Sequence, residues 1–359
     1  MQADSGSVSR VFASAALLSA LSLLVLGAPM TGSAHRPSTD VEGACSPGSV
    51  AGVIGGRRTC LKVGQACKSK LDRQYHRYGF HCHDGRLTRR TKPKPPASSF
   101  RKVDVGGYRL AISCRGTGTP AVILESGHGL RGLTWLRTQT KLASTTRVCF
   151  YDRAGLGDSD ARRPPGPPPA AKIVEELHTL LGGAQIAPPY VLGGWSFGGF
   201  FIRLYTKRYP SEVLGLVTVD GTPVGLPASS WPNPPGKPNV DLVSGEESFF
   251  IKAADDELAA SPSLEARPLI VLTRGLPDGA SADEFALWLK LQKQVALLAT
   301  SSILVRAENS GHAIHEQASD LTVEALRQVV MAARGAAHLP ACSTTPLPRL
   351  GGTCLDPSS

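Results

Sequence analysis

No two cysteines in this chain stand in C-x-x-C spacing, and none occurs before Cys45. The first absence argues against a zinc site held by thiolates. The second argues against a lipid-anchored cysteine behind an export signal. Net charge is missing too, but only from part of the chain. Residues 103–359 carry 23 Lys+Arg against 24 Asp+Glu, whereas residues 35–102 carry 15 against 4. A polyanion would find its complement in the N-terminal region and not in the bulk of the protein. That same region, about residues 40–90, has too few apolar side chains for a self-sufficient core.

What is present begins with an apolar run at residues 11–28, preceded by Arg10 and ended by Pro29. Gly32-Ser33-Ala34 follows as a small-x-small cleavage site, so residues 1–34 read as a secretory signal peptide. Left uncleaved, the 18-residue run would serve as an N-terminal membrane anchor. Export implies oxidising surroundings, where an even number of cysteines favours disulfides. Cys45, Cys60, Cys67 and Cys82 fall in a small basic module, residues 35–90. Two bridges would stabilise it by restricting the unfolded chain, and three pairings are open. Its run at residues 75–83 mixes Tyr75, Tyr78 and Phe80 with Arg77, His76, His81 and His83. Such a surface suits an anionic surface or cell-wall polymer, or is plainly solvated. The histidines are read as surface groups, and no specific nucleic acid is implied. Residues 91–99, rich in Pro and Lys, form an extended linker.

From residue 100 the pattern changes. Strands are expected at 101–105 and 108–114, a hairpin around Gly106-Gly107, then at 120–125, 146–151, 190–192, 213–219, 268–273 and 302–307. Helices are expected at 134–143, 170–181, 200–209, 282–299 and 321–333. This alternation is the α/β class: a mostly parallel sheet with helices on both faces. Residues 221–267 interrupt it with prolines and an acidic stretch at 246–260, where a cap would sit. Residues 336–359 form a tail in which Cys342 and Cys354 would close a loop.

Residues 194–198 read Gly194-Trp195-Ser196-Phe197-Gly198, a G-x-S-x-G between a strand and a helix. A serine on so tight a turn projects its Oγ above the sheet, at a helix start that favours developing negative charge. It needs a base within hydrogen-bond reach. His312 follows the last strand, behind Ser310-Gly311, and can turn back over the serine. His315 is expected in the following turn.

Four segments carry a resemblance: Leu124-Glu125-Ser126-Gly127-His128-Gly129, Tyr151-Asp152-Arg153-Ala154-Gly155-Leu156-Gly157-Asp158-Ser159, Gly194 to Gly199, and Ser310-Gly311-His312. In this order, residues from about 100 to 335 resemble the α/β-hydrolase family, in its esterase, lipase and peptidase-like branch. The resemblance implies an eight-stranded sheet in the order 1-2-4-3-5-6-7-8, with a cap at about residues 221–267. It implies Ser196 as nucleophile, His312 as base, and Asp278, after the penultimate strand, as the acid. Asp220, ending the strand at 213–219, is the alternative acid. The oxyanion donors would be the backbone N–H groups of Phe197 and His128. Ser126 stands where the family often has a histidine. The family places Cys114 and Cys149 on adjacent strands, so a bridge between them is expected. Arg153 is expected to pair with a buried carboxylate and to take no catalytic part.

The implied reaction is ester cleavage by a secreted serine hydrolase through an acyl-enzyme, with no metal and no organic cofactor. A serine nucleophile argues against epoxide hydrolysis and dehalogenation. Phe197, Phe200, Phe201, Trp231, Phe249 and Phe250 would line an apolar acyl or alkyl site. An amidase or aminopeptidase on the same residues is the alternative, with Glu246, Glu247, Asp255, Asp256 and Glu257 available to hold an amine. A non-catalytic surface-binding protein, working through the basic module, is a third reading.

Overall fold

The computed structural model describes residues 45, 49–76, 78, 80–89, 100–226, 242–243, 247–260, 263–277, 279–335 and 338–358. The expected signal peptide and the linker lie outside them. The chain divides into two units, Met1–Lys94 and Pro95–Ser359.

The first unit is two hairpins and a short helix. Strands β1 (Val50–Ile54) and β2 (Arg57–Leu61) pair, as do β3 (Phe80–His83) and β4 (Arg86–Arg89), with α1 at Asp72–His76. The core is Leu61, Tyr75, Phe80, Cys82 and Leu87. Bridges Cys45–Cys60 and Cys67–Cys82 supply what so few apolar groups cannot. Two aromatics of the run at 75–83, Tyr75 and Phe80, are therefore core and not a binding platform. Tyr78 is partly buried, and its hydroxyl accepts from the Val53 N–H at 2.9 Å. His81 meets the Asp72 carboxylate at 2.9 Å, and His83 meets Asp84 at 3.0 Å.

The second unit is built on one sheet. Every residue of β7 (Ala121–Glu125), β8 (Val148–Asp152) and β9 (Tyr190–Trp195) is buried, as strands covered on both faces require. With β5 (Arg101–Asp104), β6 (Arg109–Arg115), β10 (Val213–Val219), β13 (Leu269–Arg274), β14 (Ser302–Ala307) and β15 (Gly352–Leu355) the order is β15-β14-β13-β10-β9-β7-β8-β6-β5. The two-residue strands β11 (Leu242–Val243) and β12 (Phe249–Phe250) pair apart from it, in the interruption after β10.

Alternate side chains along each strand feed opposite cores. Ile123 and Leu192 join the face covered by α3 (Ala170–Gly183), α4 (Phe197–Arg208), α5 (Lys252–Ala260) and α6 (Ala282–Ala296). Val122, Leu124 and Val191 join the face covered by α2 (Leu136–Leu142) and α8 (Ser319–Gly335). A short helix, α7 (Ile314–Gln317), precedes α8. Cys114 and Cys149 are register partners on β6 and β8 and form a disulfide.

The first eight strands reproduce the expected order. The ninth, β15, was not expected. The tail does close a Cys342–Cys354 bridge, but Cys354 lies on a strand that pairs antiparallel with β14, and Leu347 is fully buried between these cysteines. No pattern of period two marks so short a strand, and the bridge holds its register. We predict that Leu347→Ala costs about 2–5 kcal/mol, as for other buried leucines. Leu350→Ala, at an exposed position of the same tail, should cost about 0.5 kcal/mol or less. Urea midpoints of the two variants check this; equal small losses would show that the tail is not part of the core.

Candidate active site

β9 runs straight into α4, and Ser196 is the single residue between them. Its backbone is held at φ 55, ψ −125, a region that side chains avoid. Three hydrogen bonds fix it there: Ser196 N–H to Val219 O at 3.1 Å, and Gly199 and Thr222 N–H to Ser196 O at 2.9 and 2.8 Å. The neighbouring glycines are required by contact. A Cβ on Gly194 would lie 2.3 Å from the Gly198 oxygen, and one on Gly198 2.3 Å from the Glu125 oxygen. The helix begins at Phe197, earlier than its apolar periodicity suggested, because the turn ends on the serine itself.

His312 lies in the loop between β14 and α7, and its carbonyl accepts from Trp195 Nε1 at 2.8 Å. Its Nδ1 is 2.6 Å from Asp220 Oδ2. A carboxylate only accepts, so Nδ1 carries the hydrogen. Asp220 directly follows β10, is fully buried and has φ 45. Its Oδ1 accepts from Trp288 Nε1 at 2.7 Å and from the Arg274 N–H at 3.0 Å. Arg274 Nε stands 2.7 Å from Oδ2 as an ion-pair contact, not an aligned hydrogen bond, and its guanidinium lies 4.4 Å over the Trp288 ring. Asp278, the acid favoured from the resemblance, lies outside the described residues. The carboxylate on the imidazole is that of Asp220, the alternative.

The loop after β7 passes over the serine: a Cβ on Gly127 would meet Ser196 Cβ at 3.2 Å. Phe197, as the first residue of α4, has no helical acceptor for its N–H, and among the described residues the His128 N–H has none either. Arg153 holds this loop. It is buried, and its five N–H donors meet five acceptors. Nη1 donates to Glu125 Oε1 at 2.5 Å and Ser126 O at 2.8 Å. Nη2 donates to Gly127 O at 2.7 Å and Glu247 Oε2 at 2.6 Å, and Nε to Glu247 Oε1 at 2.8 Å. Glu247 also accepts from the Gly129 N–H at 3.2 Å, and its carbonyl from His128 Nε2 at 2.6 Å. Tyr151 donates to the other oxygen of Glu125. Burial pushes the Glu125 carboxyl up, whereas Arg153 and the Gly129 N–H, outweighing burial, hold Glu247 below its usual range.

Ser196, Phe197, His128, His312, Arg274 and Trp288 share the lining of one cavity of about 360 Å³ with Gly127, Leu130, Trp195, Thr222 and Leu226. Phe200 and Phe201, expected to line it, are buried in the core instead. They lie three and four residues past Phe197 on the same helix face, which α4 turns toward the sheet. Phe249 is fully buried, packs on Phe197 at 5.3 Å and does not line the cavity. Trp231 and Glu246 lie outside the described residues. The other acidic residues weighed for an amine do not gather there: Glu247 is on Arg153, Asp256 on Lys252, and Glu257 on Arg208. Sequence reasoning missed the parts played by Glu247, Arg274 and Trp288. They sit on the interruption, a strand end and a helix, with no local motif to mark them.

His315, expected in the turn after His312, lies in the short helix α7 and is buried, with Trp195 at 4.3 Å and Trp135 at 4.6 Å. Neither ring nitrogen has a hydrogen-bond partner among the described residues. Burial, helped by nearby His312, pushes its pKa down to about 3. The unfolded chain takes up a proton below the ordinary value near 6.5 and the folded chain does not. Its contribution to stability is therefore complete above that value and lost as the pH falls toward the folded one. The slope is at most about 1.4 kcal/mol per pH unit. His315→Leu should leave stability near pH 7.5 almost unchanged and flatten its fall between about pH 6.5 and 4. Parallel pH curves from urea unfolding would contradict this.

The family model for the alpha/beta hydrolase fold matches residues 120–269. YqjL, an uncharacterised protein of Bacillus subtilis (strain 168), is 26% identical over 227 residues, 61% of this chain and 87% of YqjL. A pimeloyl-(acyl-carrier protein) methyl ester esterase of Shewanella sp. (strain MR-7) is 30% identical over 188 residues, 48% of this chain and 65% of the esterase. The solved structure of a thermophilic esterase from Thermogutta terrifontis superposes with a TM-score of 0.50 at 19% identity, covering 65% of this chain and 98% of the esterase. The matched segment contains β7, the serine turn and β10. The chain has the α/β-hydrolase fold and is an enzyme, a hydrolase of that fold.

Proposed function

We propose that this enzyme is a secreted serine hydrolase that cleaves carboxylic esters through Ser196, His312 and Asp220. One observation carries the reading: His312 donates through Nδ1 to the buried Asp220 carboxylate at 2.6 Å, while its ring shares a cavity with the strained Ser196. In the reaction, Ser196 Oγ attacks the acyl carbonyl and His312 Nε2 takes its proton. The Phe197 and His128 N–H groups receive the oxyanion. The alkoxide leaves with the proton from His312, and water releases the acyl group by the same steps in reverse roles. Asp220 orients the imidazole and stabilises its cation.

Ester cleavage is favoured over aminopeptidase chemistry because no carboxylate lines the cavity among the described residues, so nothing there holds an ammonium group. Leu130, Trp195, Phe197, Leu226 and Trp288 offer an apolar wall for an acyl or alkyl group. The named activity of the Shewanella relative supports the same choice. Secretion is supported by four disulfides, which persist in oxidising compartments. Among the described residues no helix is long and apolar enough to cross a membrane.

Labelling with a fluorophosphonate and turnover of short p-nitrophenyl esters test the proposal. Ser196→Ala should abolish both. Asp220→Asn should lower kcat by roughly 10³–10⁴-fold, and Asp278→Asn should leave it near wild type. The reverse ranking of the two aspartates would replace Asp220 as the acid, and an unlabelled wild-type protein would remove the reading altogether. Arg153→Lys offers three donors where five acceptors wait, so the His128 N–H should lose its aim. We predict kcat roughly 100-fold lower with KM little changed. A rise in KM at constant kcat would mean that Arg153 shapes binding instead.

A further inference from the structure

A second cavity, of about 420 Å³, opens between α4, α5 and α6. It lies beyond the segment 222–226: Thr222 and Leu226 line the serine cavity, whereas Pro223 and Val224 line this one. Its walls include Val224, Leu258, Leu264, Leu291, Val295 and Leu298. That size and composition suit a small ligand with an aliphatic part.

The charged lining is one-sided. Arg203, Lys207 and Arg267 face one carboxylate, Glu265. Lys207 and Arg267 have local acceptors: Lys207 donates to the Glu257 carbonyl, and Arg267 to Glu265 Oε2 at 2.9 Å and to the carbonyls of Val213 and Pro210. Arg203 differs. It is 3% exposed, and its Nε and Nη2 donate to Gly199 O at 3.2 Å and Thr222 O at 2.6 Å. Nη1 has no acceptor among the described residues, and no carboxylate there lies within ion-pair distance of the guanidinium. Asp255, the acid that acts on it from further off, accepts from the Gly225 N–H. Burial pushes Arg203 down to about 10. The same chain gives buried Arg153 two carboxylates. A buried cation left without one is costly unless an anion arrives from outside.

We propose that this cavity is a binding site for the anion of an aliphatic carboxylic acid, with its carboxylate on Arg203 Nη1 and its chain along the leucine and valine wall. The site is separate from the chemistry at Ser196 and does not depend on it. Charge selects the ligand's head group, and a charge-assisted hydrogen bond to guanidinium is stronger than a neutral one.

Isothermal titration of the full chain with decanoate and with decanol, both kept below aggregation, tests the site. One decanoate should bind per chain, at least about tenfold more tightly than decanol, a difference near 1.4 kcal/mol. Leu298→Trp, at the partly buried mouth, should weaken decanoate at least about tenfold while leaving the thermal midpoint and ester turnover near wild type. Arg203→Gln should remove the preference for decanoate over decanol. No binding, equal binding of acid and alcohol, or unchanged decanoate binding in Leu298→Trp would each overturn the proposal. The last would place the ligand in the serine cavity instead.

Discussion

The carboxylate of Asp220 is the point on which the Ser196 end of the sheet closes. It is fully buried, and it collects groups from three other elements: the imidazole of His312 after β14, the indole of Trp288 on α6, and the backbone and guanidinium of Arg274 on β13. A buried carboxylate is tolerated only when both oxygens are met by donors and its charge by a cation. Asp220 satisfies both conditions at once, and doing so fixes where His312 stands. The residue accepts a backbone at φ 45 to reach that position. Such strain persists only where the surroundings determine it, and here four elements do.

A second buried charge, of opposite sign, holds the loop after β7. Arg153 takes two glutamates and two carbonyls of the Gly127 loop. The two centres divide the labour. One carboxylate holds the imidazole of His312, and one guanidinium holds the loop that passes over Ser196. Between them the serine turn has almost no freedom, because the backbone oxygens that its glycines face would collide with any side chain. Preorganisation here comes from charges that cannot be solvated any other way.

Much of this was legible in the sequence. The serine turn announces itself because only glycine fits at Gly194 and Gly198. The sheet is legible because strands buried on both faces read as unbroken apolar runs, as at residues 120–125 and 213–219. The loop after the last strand is short and glycine-bearing, which made His312 visible. Which carboxylate meets His312 was not visible. Asp220 and Asp278 both follow strands at the correct end, and the choice depends on how far a side chain reaches across neighbouring strands, which no local pattern encodes. Trp288 and Glu247 are silent for the same reason. Phe200 and Phe201 were misplaced because the helix starts at Phe197, which rotates both into the core. The strand β15 is too short for periodicity to declare, and its cysteine pointed only to a loop.

Glu247 changes what the interruption after β10 means. An inserted segment need only cover a site to favour an apolar substrate. This one also supplies two of the five acceptors around Arg153 and bonds the Gly129 amide and the His128 ring. Withdrawing Glu247 would leave two buried guanidinium hydrogens without partners, at a cost of several kcal/mol if the charge stayed dry. The loop carrying the His128 amide therefore cannot keep its shape independently of the segment around residue 247. Under the proposed mechanism, substrate entry and oxyanion geometry are coupled through a single arginine, so rearranging the insertion would act on the rate of the chemical step and not only on access to it.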